Sequence, residues 1–174
     1  MQDTLPIHFA PLQGYTEAIY RNAHDAFFGG VDTYYTPFVR LEKGNFRRRD
    51  VRGIEPENNG VPHLIPQLIA SSAEKAEVIL SLFIEKGYQE VDINLGCPFP
   101  LLAKRHNGSG ILPYPEEVKA LLSIVTRYPQ ISFSVKMRLG WEQSDECLAL
   151  APILNALPDH HAPPSGQTRL QRRS

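Results

Sequence analysis

Cysteine is scarce here: two in 174 residues, Cys97 and Cys147, far apart and in unlike surroundings. That excludes a disulfide framework as the source of stability and predicts free thiols in a reducing, cytoplasmic setting. Long apolar runs are missing as well. None approaches the ~18 residues of a membrane-crossing helix, so no membrane partner is expected. The opening MQDTLPIHFA lacks the basic, apolar and small-residue order of a signal peptide. Charge of one sign is absent too, the formal net charge being -1. Any polyanion-binding surface must then be a local patch of Lys and Arg. What is present is a chain of single-domain length, 42% hydrophobic, with enough apolar material to bury a core.

Ile7-His8-Phe9-Ala10 is the first strand candidate, stopped by Pro11-Leu12-Gln13-Gly14. Thr16 is the expected cap of the following helix, whose Ile19, Ala23, Ala26 and Phe27 recur at helical spacing until Gly29-Gly30. Asp32 to Pro37 is rich in β-branched and aromatic residues and reads as a second strand. Residues 40 to 60 are polar, with Arg47, Arg48, Arg49 and Arg52 opposite Glu55 and Glu57. Such a run is a solvated face or a phosphate-contacting edge. His63 to Ile69 is a third strand. Ser71 or Ser72 then caps a helix with Ala73, Ala76, Ile79, Leu80, Phe83 and Ile84 on its apolar stripe. Glu90 to Asn94 is strand four, and a helix bearing Val118, Leu121, Leu122 and Val125 opens near Pro115. Ser132 to Lys136 is strand five, followed by a helix that Asp145 opens and Pro152 interrupts.

Five strand-helix alternations predict parallel strands with right-handed crossovers. A doubly wound sheet would show a glycine fingerprint after its first strand, and Pro11-Leu12-Gln13-Gly14 is not one. Polar and reactive groups instead end several strands (Gln67, Asn94, Cys97, Lys136, Arg138), which favours a (β/α)8 TIM barrel. A complete barrel needs roughly 200 residues or more. After Pro158 the composition turns to DHHAPPSGQTRLQRRS, with almost no apolar residues. The expectation is an α/β fold in which residues 1–158 form an incomplete barrel of about five β/α units. Residues 159–174 are expected to be a disordered, non-native tail, such as a frameshift or truncated gene would leave.

Residues 88 to 112, YQEVDINLGCPFPLLAKRHNGSGIL, place a thiol at the end of the fourth strand between Gly96 and Pro98. Lys104, Arg105 and His106 follow, then Gly108-Ser109-Gly110. Cys97 is either a working group, where barrels keep their chemistry, or a buried structural cysteine. Asn94 either serves a site or forms the turn.

Taken together, Ala10-Pro11-Leu12-Gln13-Gly14-Tyr15-Thr16, Pro66-Gln67, Asp92-Ile93-Asn94-Leu95-Gly96-Cys97-Pro98 and Val135-Lys136-Met137-Arg138-Leu139-Gly140 resemble the motifs of the flavin-dependent tRNA-dihydrouridine synthases. The resemblance covers about residues 7 to 157. It implies a monomeric FMN enzyme, recharged by NADPH or NADH, that reduces the C5–C6 double bond of uridines in tRNA. It implies no metal. Under it Cys97 is the general acid that protonates C5. An ordinary thiol titrates near about 8.5 and is mostly protonated at neutral pH, which suits that role.

By the same resemblance Pro11, Leu12 and Gln13 present backbone to the flavin, Gln67 bonds its ring edge, and Lys136 offsets charge on the reduced ring. Lys136 is otherwise a snorkelled surface charge. Asn94 and Arg138 are implied to hold the uracil, and Lys104 and Arg105 the tRNA backbone beside a base drawn out of its stack. The family's later strands supply a His/Arg element and glycine turns for the FMN phosphate, and a helical domain grips tRNA; none is recognisable here. The other readings are a non-catalytic tRNA-binding remnant, or a different FMN barrel oxidoreductase acting on a small pyrimidine or enone.

Overall fold

The computed structural model describes residues 5–157 and the short strand at 169–170. In chain order these are β1 (His8–Phe9), α1 (Ala18–Phe27), β2 (Thr33–Tyr35), β3 (Leu41–Glu42), β4 (Asn45–Phe46) and α2 (Arg48–Ile54). Then come β5 (Leu64–Ile65), β6 (Gln67–Leu68), α3 (Ala73–Glu85), β7 (Glu90–Leu95), α4 (Pro100–Ala103), α5 (Pro115–Arg127), β8 (Ser132–Met137), α6 (Glu146–Asn155) and β9 (Arg169–Leu170). The tail expected to be disordered lies outside the described residues, except that Arg169–Leu170 pair in parallel with β8.

The sheet follows the order of the chain. β1, β2 and β5 are neighbours, as are β6, β7, β8 and β9, and every one of these pairings is parallel. The third strand expected over 63–69 is divided at Pro66, which has no N–H to donate. A parallel bridge between Val39 and Leu68 carries the pairing across that break, with Val39 N–H donating to Gln67 O at 2.8 Å. The fold is thus α/β with a parallel sheet in sequential order, α3 and α5 packing on one face of it.

The core lies between that face and the helices. Val91, Ile93 and Leu95 of β7 meet Ile79, Leu80 and Phe83 of α3 and Leu121, Leu122 and Val125 of α5, all buried. Each fully buried aliphatic or aromatic side chain contributes about 1.5–3 kcal/mol, so this sheet-on-helix contact dominates the stability. Both helices follow from their sequences. Ser72 caps α3 by accepting a hydrogen bond from Lys75 N–H at 3.4 Å, and Pro115 occupies the first turn of α5. Ile84, expected on the α3 stripe, is instead 38% exposed.

The first helix departs further from expectation. The stripe of Ile19, Ala23, Ala26 and Phe27 faces outward, with Ile19 at 83% and Phe27 at 84% exposure. Ala18 and Arg21 are the buried residues. The Arg21 guanidinium donates to Thr16 O at 2.6 Å, Gly53 O at 2.8 Å and Asn59 Oδ1 at 2.5 Å, and burial pushes its pKa down to about 10. Those three acceptors decide which side of the helix turns in, because a buried guanidinium without partners is far more costly than an exposed isoleucine. Thr16 is not the cap either. Its hydroxyl accepts from Leu12 N–H at 2.8 Å and so closes the turn after β1.

The polar run of residues 40–60 forms the β3–β4 hairpin and α2. Arg47 grips Asp50 through Nε and Nη2, at 2.8 and 2.7 Å, while Arg48 and Arg52 remain exposed.

Candidate active site

Strand β7 reads apolar and polar by turns. Val91, Ile93 and Leu95 enter the helix-facing core, so Asp92 and Asn94 point to the opposite face. Register brings the neighbours level: Asp92 pairs with Gln67 on one side and Ser134 on the other, and Asn94 pairs with Lys136. The polar face of the sheet therefore concentrates at the carboxyl ends of β6, β7 and β8.

These groups are bonded to one another. Gln67 Nε2 donates to Asp92 Oδ2 at 2.6 Å, and Ser134 Oγ donates to Asp92 Oδ1 at 2.7 Å. Asn94 Nδ2 donates to Gln67 Oε1 at 2.6 Å. Asn94 Oδ1 then accepts two backbone N–H groups just past the strand, Gly96 at 3.0 Å and Cys97 at 2.9 Å. Gln67 is further anchored by its own N–H, which donates to Thr36 Oγ1 at 3.0 Å. Asp92, Asn94 and Gln67 are all buried, where a satisfied network is stiff and a broken one costly.

Cys97 sits at the tip of this network. It is half-buried and packs against the small apolar cluster of Phe38, Ile69 and Leu102, which lies at the carboxyl ends of neighbouring strands and on α4. The loop that leaves it returns to it. Ser109 donates to Cys97 O twice, from N–H at 3.0 Å and from Oγ at 2.9 Å. Gly108 lies so close that a Cβ there would stand 2.6 Å from Cys97 O. Gly110 likewise has no room for a side chain against the Ala103 backbone. Gly108 and Gly110 are thus points of close backbone approach. At the loop's far end Lys104 and Arg105 are exposed, while His106 stacks on Tyr114 at 4.1 Å and meets Glu117 Oε2 at 2.7 Å.

Arg138 is half-buried beside the cysteine turn, its Cγ 3.5 Å from where a Gly96 Cβ would be. The loop after it is shaped by Glu146, whose carboxylate accepts from the N–H groups of Trp141, Glu142 and Gln143 at 2.6, 2.9 and 2.9 Å. Burial pushes that carboxyl up, but the three N–H donors outweigh it and hold it below the usual carboxylate range. Pro11, Leu12 and Gln13 form the turn after β1, at the far side of β2. Leu12 is exposed, whereas both amide atoms of Gln13 are buried and have no hydrogen-bond partner among the described residues.

The structure thus gathers Gln67, Asn94, Cys97, Lys136 and Arg138 at adjoining strand ends, with Lys104 and Arg105 standing apart on the loop surface. Sequence reasoning missed Asp92, Ser134, Thr36 and Ser109. The alternation Val-Asp-Ile-Asn-Leu over residues 91–95 and Ser-Phe-Ser-Val-Lys-Met-Arg over 132–138 would have marked the first two as facing the same side as Asn94 and Lys136.

Residues 8–157 match the dihydrouridine synthase (Dus) family over nearly the whole described chain. The chain belongs to the dihydrouridine synthase family. Among relatives it is 31% identical over 88 residues to the tRNA-dihydrouridine synthase B of Klebsiella pneumoniae, covering 50% of this chain and 27% of that one. It is 28% identical over 142 residues to the probable tRNA-dihydrouridine synthase 1 of Synechocystis sp., covering 78% and 38%. With the tRNA-dihydrouridine(16) synthase of Haemophilus ducreyi it shares 28% identity over 165 residues, covering 85% and 48%. The chain spans less than half the length of each of these Dus relatives. Among the described residues no helix is long and apolar enough to cross a membrane.

Proposed function

We propose that this chain carries the catalytic cysteine and the first five β/α units of a tRNA-dihydrouridine synthase built on a (β/α)8 TIM barrel. The observation that carries the reading is the position of Cys97. It is half-buried just past the carboxyl end of β7, on a turn fixed by Asn94, whose neighbour across the sheet is Lys136, while Gln67 pairs with Asp92 on the other side. Partial closure of the barrel is supported by strands following one another in parallel and by the apolar stripe of α1, which the described residues leave uncovered. Residues 1–158 are read as the main barrel portion; the tail expected over 159–174 is not wholly outside it, since Arg169–Leu170 add a parallel strand beside β8.

The residues present suit FMN. The buried amide of Gln13 offers one donor and one acceptor without partners, complementary to the carbonyl and N–H of a flavin pyrimidine edge. Gln67 keeps its second amide hydrogen free of the bonds described above, and Lys136 stands level with Asn94. Pro11, Leu12, Gln13, Gln67 and Lys136 are thus the residues that would hold the ring. When bound and reduced by NADPH or NADH, FMN supplies hydride, and carbon 6 of the uracil is where it is needed. Cys97 then gives its thiol proton to carbon 5, leaving a thiolate that regains a proton from water. Arg138, beside Gly96, is placed to hold a carbonyl or phosphate oxygen of the nucleotide. Asn94 orients the uracil through the cysteine turn that it holds. Lys104 and Arg105, exposed on the loop, meet the tRNA backbone and make binding salt-dependent.

The experiment is reoxidation of the NADPH-reduced protein, with saturating FMN, by unmodified tRNA. General acids contribute about 10²–10⁴-fold, so Cys97→Ser is expected to slow reoxidation by at least about 100-fold. An undiminished rate in that variant removes Cys97 from the chemistry. Because the chain spans less than half of its relatives, a second outcome is informative: tRNA binding without flavin retention would identify a binding remnant instead.

A further inference from the structure

We infer that Asp92 is a positioning residue for Cys97: its carboxylate sets the direction of a chain of amide hydrogen bonds that ends at the cysteine turn. The significance for catalysis rests on the reading of Cys97 as proton donor; the arrangement itself does not.

An ionised carboxylate only accepts hydrogen bonds. Asp92, 3% exposed, accepts from Ser134 Oγ at one oxygen and from Gln67 Nε2 at the other. Gln67 must therefore turn its NH₂ toward Asp92 and its carbonyl away. That carbonyl can receive only a donor, so Asn94 turns its NH₂ toward Gln67, 2.6 Å away. The remaining Asn94 oxygen then faces the turn and receives the Gly96 and Cys97 N–H groups at 3.0 and 2.9 Å. Flip either amide and two donors confront each other in a buried site. A single carboxyl group on β7, accepting at both oxygens, thus orders side chains from β6 and β7 and, through them, the backbone that carries the thiol. A general acid works only within hydrogen-bond reach of the atom it protonates, and displacements of about 1 Å cost about 10²-fold in rate.

A merely structural carboxylate would tie β6 to β8 and nothing more. The two roles separate by local measurement on the purified chain, with no flavin or tRNA present. Asp92→Asn keeps the shape but can donate, so Gln67 loses its reason to point one way. Amide hydrogen exchange at Gly96 and Cys97 should quicken by about tenfold or more while α3 and α5 stay protected. In a Cys147→Ser background the alkylation rate of Cys97 by iodoacetamide should also change, by about threefold or more. Ser134→Ala removes the Ser134 hydrogen bond to Asp92 but not the direction of the amides, and should leave both readouts within about twofold.

Should Asp92→Asn lower protection throughout the chain, Gln67→Leu cuts the same relay while leaving the carboxylate with Ser134. It is expected to loosen Gly96 and Cys97 alone. Unchanged exchange at those two amides in either variant, or an equal effect from Ser134→Ala, overturns the inference. If these amides respond as expected but Cys97→Ser leaves turnover untouched, the relay stands and the catalytic reading falls.

Discussion

Gly108 offers the sharpest test of how the loop is held against the thiol, and Gly44 is its internal control. Both have left-handed backbone, φ +60° at Gly108 and +81° at Gly44. They differ in surroundings. A Cβ on Gly44 meets nothing within 4 Å, whereas one on Gly108 meets Cys97 O at 2.6 Å, Cys97 Cβ at 2.9 Å and Cys97 N at 3.0 Å. Gly44→Ala should therefore cost only the left-handed strain of an L-residue, about 1–2 kcal/mol. Gly108→Ala adds overlap with backbone that has no flexible end to yield, a further ~1–3 kcal/mol of overpacking. If the loop moves out to relieve it, the two bonds from Ser109 to Cys97 O are lost, at about 0.5–1.5 kcal/mol each. The expected total is about 2–5 kcal/mol by either route, a large part of the stability of an ordinary domain. Urea denaturation followed by circular dichroism reads this directly. With a slope near about 2 kcal/mol/M, the midpoint should fall by about 0.5–1 M for Gly44→Ala and by about 1–2.5 M for Gly108→Ala. Equal shifts in the two variants would show that the loop does not lie against Cys97 as described.

Arg21→Met leaves Thr16 O and Asn59 Oδ1 without their donor and Gly53 O with only the Asn59 amide at 3.2 Å, and at about 1–3 kcal/mol per orphaned acceptor the urea midpoint should drop by more than about 1 M; a drop under about 0.3 M would mean that the guanidinium is not what seats α1. Glu146 gives an acid-linked effect. Its folded-state pKa is lowered by the N–H groups of residues 141–143, so its stabilisation of that loop is present above the ordinary glutamate value, about 4.3, and is lost as pH falls through the lower folded value. The amide resonances of Trp141, Glu142 and Gln143 should shift together in that acid range and cease to titrate in Glu146→Gln; a midpoint at or above the ordinary value refutes the assignment.

Helices α3 and α5 were legible because their apolar spacing, cap and opening proline all agree with the side that is buried. α1 misled because its apolar stripe and its buried face are different sides of one helix. The spacing of Ile19, Ala23, Ala26 and Phe27 announces a helix correctly but says nothing of what lies beside it. The stretch from 40 to 60 hid a hairpin and a helix because its order comes from polar pairs such as Arg47–Asp50. No hydrophobic period reports those. At the site, Cys97, Asn94, Gln67, Lys136 and Arg138 were visible as reactive or polar groups ending strands. Gln13 was singled out for its backbone, yet its buried amide is the more distinctive feature.

The residue order alone determined the alternation of strands and helices, the stop at Pro11, and a thiol placed just beyond a strand. Those are local consequences of backbone geometry and side-chain period. Only the tertiary structure decided who meets whom. Gln67 finds Asp92 across 25 residues and Ser134 finds it across 42, because adjacent parallel strands fix a register that no short window of sequence contains. The same is true of Gly108 against Cys97, where two backbones approach closely enough to exclude a methyl group. Period and propensity act over a few neighbouring residues, whereas the direction of the Gln67 amide in the buried relay is set by an acceptor on another strand.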